Sequence, residues 1–295
     1  MSKPQVYFTK DITPENVVKL YEKLGVKLPG KIAVKVHSGE EGNQNYLHPE
    51  FMRPMIEEVD GTVVECNTAY DGARDTTEKH EKLMAAHGWT KYFDVDIMDA
   101  DGPSSDIIFP IENGRVLKAN HVGGHLANYA SMLVLSHFKG HPMGGFGGAL
   151  KQLSIGCASN QGKVNLHTGG ASLIQGEFWD KHAEQDDFIE AMAEAAETIV
   201  NHFGSNIAFV NIACNLSVDC DCCSEAEDPC MGDIGIFASL DPVAIDAACL
   251  DAVRNSDDPG RDKLLERITS RHGEKIIDDA VRLGYGSDDY ELIEV

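Results

Sequence analysis

The sequence predicts an α/β fold, a mostly parallel sheet flanked by helices, with residues 1–295 forming a single domain, either as one compact body or as two lobes sharing it. Two observations lead there. Strand-like and helix-like segments alternate from the start of the chain, the pattern of a sheet covered by helices on its faces. The composition agrees: 42% hydrophobic and 25% charged residues over 295 positions are ordinary for a globular chain able to bury a large core. No internal repeat or low-complexity linker divides it.

"QVYFT" reads as a short strand and "TPENVVKLYEKLG" as a helix, with Thr13 as N-cap, Pro14 at the first position and Gly25 closing it. "KIAVKVH" alternates apolar and polar residues and should be a strand that delivers His37 to its end. A loop and a helix from about His48 to Val59 follow, then "GTVVECN" as a buried strand and "DTTEKHEKLMAAHGW" as an amphipathic helix stopped near Gly88. "DIIFPIENGRVLKANHVGGHL" has the pattern of a hairpin, with Asn113 and Gly114 supplying a tight turn. Met132–Ser136 is a strand, after which the chain enters a stretch rich in glycine and histidine, where the glycines imply positive-φ turns and close backbone approach. Between Asp180 and Phe203, Phe188, Met192, Ala196, Ile199, Val200 and Phe203 form one apolar helical face, read as core. "NIAFVNIAC" is a buried strand ending on Cys214, and "DIGIFASLDPVAIDAACLDAV" is a strand and a helix capped by Asp241 and Pro242. Helices over about 260–272 and 273–283 and a last strand, "YELIEV", complete the chain.

Net charge is −23, from 25 basic against 48 acidic side chains, a field that repels phosphate backbones and anionic lipid and so excludes nucleic-acid and membrane-surface partners. No run of 18 apolar residues predicts a membrane span, and the N-terminus lacks the charged-then-apolar pattern of a secretory signal. A cytoplasmic location with reduced thiols is the expectation.

Five of the eight cysteines fall in "ACNLSVDCDCCSEAEDPCMGD": Cys214, Cys220, Cys222, Cys223 and Cys230. Residues two apart in extended chain point the same way, so Cys220 and Cys222 can converge while Cys223 faces away unless the loop twists. Several thiolates meeting in a reducing compartment is the chemistry of zinc or an iron–sulphur cluster. The spacing, C-x5-C-x-C-C-x6-C, matches neither zinc ribbons nor ferredoxins. Asp219 and Asp221 read as solvent-facing or supporting groups, and Cys66, Cys157 and Cys249, each alone in an apolar segment, as core.

Histidines give the second signal. His121/His125 and His137/His141 are each four apart, the spacing of metal-binding pairs on a helix, although Gly123, Gly124 and Gly140 oppose regular helix there. In "KVHSGEEGN", Lys35, His37, Glu40 and Glu41 sit at a strand's C-terminal edge, where open α/β sheets bind ligands. Lys35 and Lys139 are candidates to hold an anionic substrate and Glu40 to exchange protons. "GGFGGALKQL" lacks the order of a phosphate loop, and no nucleotide site is read from it.

"KVHSGEEGN", "HFKGHPMGGFGGALKQLSIGCAS", "VDCDC" and "DIGIFASLDPVAIDAACLD" together, in that order, resemble the family called domain of unknown function 362 over nearly the whole chain. The resemblance implies an association with iron–sulphur clusters without naming a reaction. Many members carry an inserted ferredoxin-like module after the position of His167, where this chain has only the cysteine-free "TGGASLIQGEFWDK", so any cluster would have to use the "CDC" region.

The leading reading is an iron–sulphur enzyme or electron-transfer protein, with a [4Fe–4S]-type cluster on Cys214, Cys220, Cys222 and Cys230, and Cys223 as substitute. His137, Lys139, His141, Lys35, His37 and Glu40 would face a small-molecule substrate or redox partner across the Gly/His wall, and His121 and His125 are further candidate metal ligands. A zinc or other divalent-metal hydrolase or lyase, and a non-catalytic metal carrier, stand as alternatives.

Overall fold

The computed structural model describes residues 3–295. Strand β1 (Gln5–Thr9) leads to helix α1 (Pro14–Lys23), where the Thr13 hydroxyl accepts from the Asn16 amide and Pro14 takes the first position. β2 (Ile32–Lys35), α2 (Pro49–Val59), β3 (Thr62–Glu65), α3 (Thr77–Ala86) and β4 (Val95–Ile97) follow in alternation. β5 (Ile107–Pro110) and β6 (Ala119–Val122) pair as a separate hairpin. After β7 (Ser131–His137), β8 (Lys139–His141) and β9 (Gly145–Gly147) form a second small hairpin, followed by α4 (Ala149–Leu153) and α5 (Asn160–His167). The chain ends with α6 (Gln185–Phe203), β10 (Ile207–Ala213), β11 (Gly235–Ser239), α7 (Pro242–Arg254), α8 (Arg261–Ser270), α9 (Lys275–Leu283) and β12 (Glu291–Glu294).

Eight strands form one sheet in the order β12-β1-β11-β10-β7-β2-β3-β4, mostly parallel and flanked by helices as the alternation predicts. Only β11 runs against the rest, pairing antiparallel with both β1 and β10. The cysteine loop explains this: it leaves the C-terminal end of β10 and enters β11 at the same edge, so the strand must return. Every residue of β7 and β10 is buried, because both faces of the sheet are covered. Met132 and Val134 point into one core with α6, α7 and α9, while Leu133 and Leu135 point into the other with α1 and α2. The apolar face of α6 read from the sequence, from Phe188 to Phe203, packs in the first of these.

The chain runs outward from β2 to β3 and β4, then crosses back to β7 and β10 on the other side. The order therefore reverses between β2 and β7, and the crevice beyond the carboxyl ends of these strands is where such sheets bind ligands.

Two segments differ from expectation. The β5–β6 register pairs Pro110 with Ala119, so the connection spans 111–118 and is no two-residue turn. The buried Glu194 of α6 accepts the Arg115, Val116 and Leu117 amides, a tertiary contact that sets the loop and overrides the local Asn-Gly preference. The Gly/His stretch is not irregular: it builds the β8–β9 hairpin, α4 and α5. Its glycines are packing devices there. A Cβ on Gly148 would lie 2.4 Å from the Asp246 carboxylate, which accepts the Ala149 and Leu150 amides and so caps α4 from beneath.

Candidate metal centre and adjoining cavity

The cysteine loop is seated by one buried carboxylate. Lys139 Nζ lies 2.6 Å from Asp221 Oδ2, and His137 sits between two acceptors, with Nδ1 2.9 Å from Asp221 Oδ1 and Nε2 2.6 Å from the Cys214 carbonyl oxygen. Burial alone would raise the Asp221 carboxyl, but His137 and Lys139 outweigh it and hold it well below the usual carboxylate range. The backbone adds to this. Glu40 N–H donates to the Asp221 carbonyl at 2.8 Å, Gly140 N–H to the Ser217 carbonyl at 2.8 Å, and the Asn43 amide to the Cys223 carbonyl at 2.8 Å. Gly140 carries no side chain for a reason: a Cβ there would lie 2.5 Å from the Val218 carbonyl oxygen.

Seated this way, the loop brings together a group with metal-site geometry. His141, Cys220 and Cys222 offer donor atoms that all lie within 4.8 Å of one another, and His141 Nε2 is 3.8 Å from Cys222 Sγ. In a tetrahedral zinc site, bond lengths of about 2.3 Å to sulphur and about 2.0 Å to nitrogen put neighbouring ligands between about 3.5 and 3.8 Å apart, so small side-chain movements would close the group on one ion. The sulphurs are also electronically suited. Burial raises the Cys220 thiol, but a hydrogen bond from Cys222 and the charges of Lys151 and Lys139 overcome this and push it well below its ordinary value. Lys151 Nζ lies 3.7 Å from Cys220 Sγ. Cys222 moves the opposite way, because its thiol hydrogen is shared with Cys220 and Cys223.

Two imidazoles flank this group in matching states. The Met143 and Gly144 amides donate to His141 Nδ1 at 3.1 and 2.8 Å, and the Gly39 amide donates to His37 Nδ1 at 3.1 Å. A neutral ring that accepts at Nδ1 carries its proton on Nε2. Burial holds both neutral, His141 down at about 4 and His37 well below the ordinary histidine value. Both line a cavity of about 240 Å³ at the β2–β7 switch point, together with Lys35, Lys151, Lys163 and Cys222. Tyr70, Met143, Ile155, Phe178 and Trp179 supply its apolar wall.

The other residues singled out in the sequence divide clearly. Lys35 is buried with all three ammonium hydrogens committed, to Glu65 at 2.6 Å, Gln152 at 3.0 Å and the Val36 carbonyl at 2.5 Å, which leaves none for a substrate. Lys139 and His137 are spent on Asp221, which is buried and takes the supporting, not the solvent-facing, of the two roles read for it. Glu40 is paired with Arg74 at 3.0 Å and lies outside the cavity lining. Cys214 and Cys230 do not reach the sulphur group. Cys214 packs in one hydrophobic core, its thiol pushed up to about 12 by burial, while Cys230 packs against the other with its Sγ 3.2 Å from the Leu216 carbonyl. His121 and His125 belong to no metal group among the described residues, His121 lying on β6 and His125 in the turn after it. His125 lies between Asp96 at 2.6 Å and Asp101 at 3.0 Å. Lys151, Lys163 and Arg74 were not foreseen as cavity residues. Lys151, directly after the "GGAL" stretch, had a local signal in the turn from β9 into α4, whereas Lys163 and Arg74 are brought in by tertiary structure alone.

Residues 32–251 match the sequence model of the family described as domain of unknown function (DUF362), and the chain belongs to that family. No curated protein matches it in sequence. Among solved structures, it is similar to a protein from Thermotoga maritima, at 14% identity and a TM-score of 0.46 over 87% of this chain and 58% of that one. It is also similar to the lactate racemase apoprotein from Thermoanaerobacterium thermosaccharolyticum, at 12% identity and a TM-score of 0.39 over 72% of this chain and 50% of that one. The chain thus spans little more than half the length of either. Among the described residues, no helix is long and apolar enough to cross a membrane.

Proposed function

We propose that this chain is a metal-dependent enzyme that acts on a small molecule in the switch-point cavity, with a single thiophilic ion such as zinc held by Cys220 and Cys222 and supported by His141. The observation that carries this reading is the convergence of those three donors within 4.8 Å, two of them, His141 and Cys222, on the wall of a 240 Å³ cavity. Two sulphurs and an imidazole leave a fourth position open toward the cavity, the arrangement of catalytic rather than structural zinc sites. The sulphurs carry the site, and His141 would join them only once its ring turns or gives up the Nε2 proton, because two backbone amides on Nδ1 keep that proton on the nitrogen that would have to bind.

A bound ion supplies Lewis-acid polarisation of a substrate oxygen. The protein's own contribution is positional. Lys151 stabilises the Cys220 thiolate, the Asp221 anchor fixes the loop, and His37 presents Nε2–H to the cavity as a neutral donor that bonds an oxygen gaining negative charge. Lys35 and Glu65 neutralise each other beneath the site and hold β2 to β3 without taking part in proton transfer.

The iron–sulphur alternative needs four thiolates. Cys214 and Cys230 sit in separate hydrophobic clusters with thiols raised by burial, which favours a mononuclear site over a cluster. Metal analysis of protein purified without oxygen under full iron and zinc supply decides between them. The expected result is about one divalent ion per chain with no acid-labile sulphide. That ion should be lost in Cys220→Ser and Cys222→Ser, weakened in His141→Ala, and kept in Cys214→Ala and Cys230→Ala. Iron with stoichiometric sulphide, or metal content indifferent to the first two substitutions, overturns the proposal. A reducing cytosol would keep these thiolates from oxidising and is the compartment we assign.

A further inference from the structure

We infer that the substrate is a small organic carboxylate, its charge received by Lys163 and Lys151 and its apolar remainder packed against Tyr70, Phe178 and Trp179. The inference deepens the enzyme reading above, on which its purpose rests.

The cavity is positive in an otherwise strongly acidic protein. Glu65 is the only carboxylate in its lining, and it is already neutralised by Lys35 at 2.6 Å with Arg74 a further 4.0 Å away. Four lysine and arginine side chains line the same space. Lys35 is fully committed, and Arg74 is paired with Glu40. Two ammonium groups remain. Lys163 is buried, donates to the Ala158 carbonyl at 2.6 Å, and has no carboxylate within ion-pair distance among the described residues. Lys151 has only the Cys220 sulphur at 3.7 Å. An unpaired buried ammonium is costly, and burial lowers the Lys163 ammonium accordingly. A bound anion would reverse that cost, which gives Lys163 a use that no structural partner provides.

The kind of anion follows from what else faces it. Phosphate sites are built from free backbone amides at a helix start or from forked arginines. Here the Met143 and Gly144 amides are taken by His141, the start of α4 by Asp246, and the Arg74 fork by Glu40 and Tyr70. Point-charge ammonium groups facing an aromatic wall suit a carboxylate with an apolar body. At about 240 Å³ the space is below the range of drug-sized ligands, so the molecule is small. Trp179, 64% exposed beside the buried Phe178, stands at the mouth as a reporter.

The test titrates metal-stripped full-length protein with phenylacetate, phenylacetamide and phenyl phosphate, read by calorimetry and by Trp179 fluorescence. Phenylacetate should bind at least tenfold tighter than the uncharged amide and tighter than phenyl phosphate. Lys163→Met should remove most of the preference over the amide, and Lys151→Met part of it. Lys163→Met should keep or raise the melting temperature, because it deletes an unpaired charge, whereas a merely structural lysine would lower it. Equal binding of phenylacetate and phenylacetamide, tighter binding of phenyl phosphate, or a Lys163→Met variant with an undiminished preference each overturns the assignment. Because the ion has been removed, failure of the metal centre would show in metal analysis and leave this preference intact.

Discussion

Replacing Asp221 by Asn should cost about 3–5 kcal/mol of stability, the usual cost of breaking a buried ion pair from one side. The figure applies undiminished because water does not screen the group: the Asp221, Lys139 and His137 side chains are 1%, 3% and 2% exposed. Asn keeps the shape and one acceptor, but it strands the Lys139 ammonium and turns an N–H toward one of its neighbours. Urea unfolding measures the loss, and a double-mutant cycle isolates its cause. Once Asp221 is Asn, the further change Lys139→Met should be close to neutral or stabilising, whereas in the native background it should be strongly destabilising. The pH dependence has a definite sign. A carboxylate held below its unfolded value contributes stability that is present in full above about pH 4 and lost as pH falls, so native and variant should converge in acid. A loss under 1 kcal/mol, or additive effects of the two substitutions, would show that the loop is not anchored through this carboxylate.

Two further perturbations probe the same framework. Gly140→Ala puts a methyl 2.5 Å from the Val218 carbonyl oxygen, and since backbone cannot turn aside as a side chain does, it should cost about 1–3 kcal/mol and reduce bound metal; Gly176→Ala, with nothing within 4 Å, is the matched control, and equal melting temperatures for the two would remove the close-approach argument. Asp246 is fully buried and burial raises its carboxyl to about 6 despite the amides it caps. A raised acid favours the folded state most below about pH 4 and loses that contribution as pH rises through 6, so Asp246→Asn should gain about 2–3 kcal/mol relative to the native protein between pH 4 and 7.5, and a flat difference in unfolding free energy would contradict the assignment.

What the sequence disclosed and what it hid follow from the range of the interactions involved. Thr13 with Pro14 and Asp241 with Pro242 mark helix starts because capping is settled within four residues, and both caps are present. The continuous apolar runs of β7 and β10 were equally legible, since burial on both faces leaves no polar alternation. The turn at Asn113 and Gly114 was misread because Glu194, some eighty residues later, dictates the loop. In the cysteine segment, spacing rightly put Cys220 beside Cys222 but was blind to depth. Cys214 continues the alternation of β10 and so belongs to a core, and Asp221, read as either solvent-facing or supporting, is buried by partners 82 and 84 residues away. The spacing of His121 and His125 would make a metal pair only on a helix, which Gly123 and Gly124 already opposed, and the chain there is indeed β6 and a turn.

Electrostatics links these observations to function. A chain of net charge −23 nevertheless lines one crevice with four lysine and arginine side chains against a single carboxylate, Glu65, among the described residues. Two of them are neutralised internally, Lys35 by Glu65 and Arg74 by Glu40, as is Lys139 by Asp221 beneath the cysteine loop. The two with no carboxylate partner, Lys151 and Lys163, face the cavity, one beside the Cys220 sulphur and one on α5. Had the positive charge served folding alone, the buried Lys163 would be paired as well, because an unpaired buried ammonium destabilises the protein. The acidic exterior would also slow capture of an anion by long-range attraction, so selectivity must arise inside the crevice and the substrate's charge must be matched at contact distance. Raising the salt concentration should therefore leave phenylacetate affinity nearly unchanged or increase it slightly. A steep loss of affinity with salt would place the anion on an exposed surface patch and not between these two lysines.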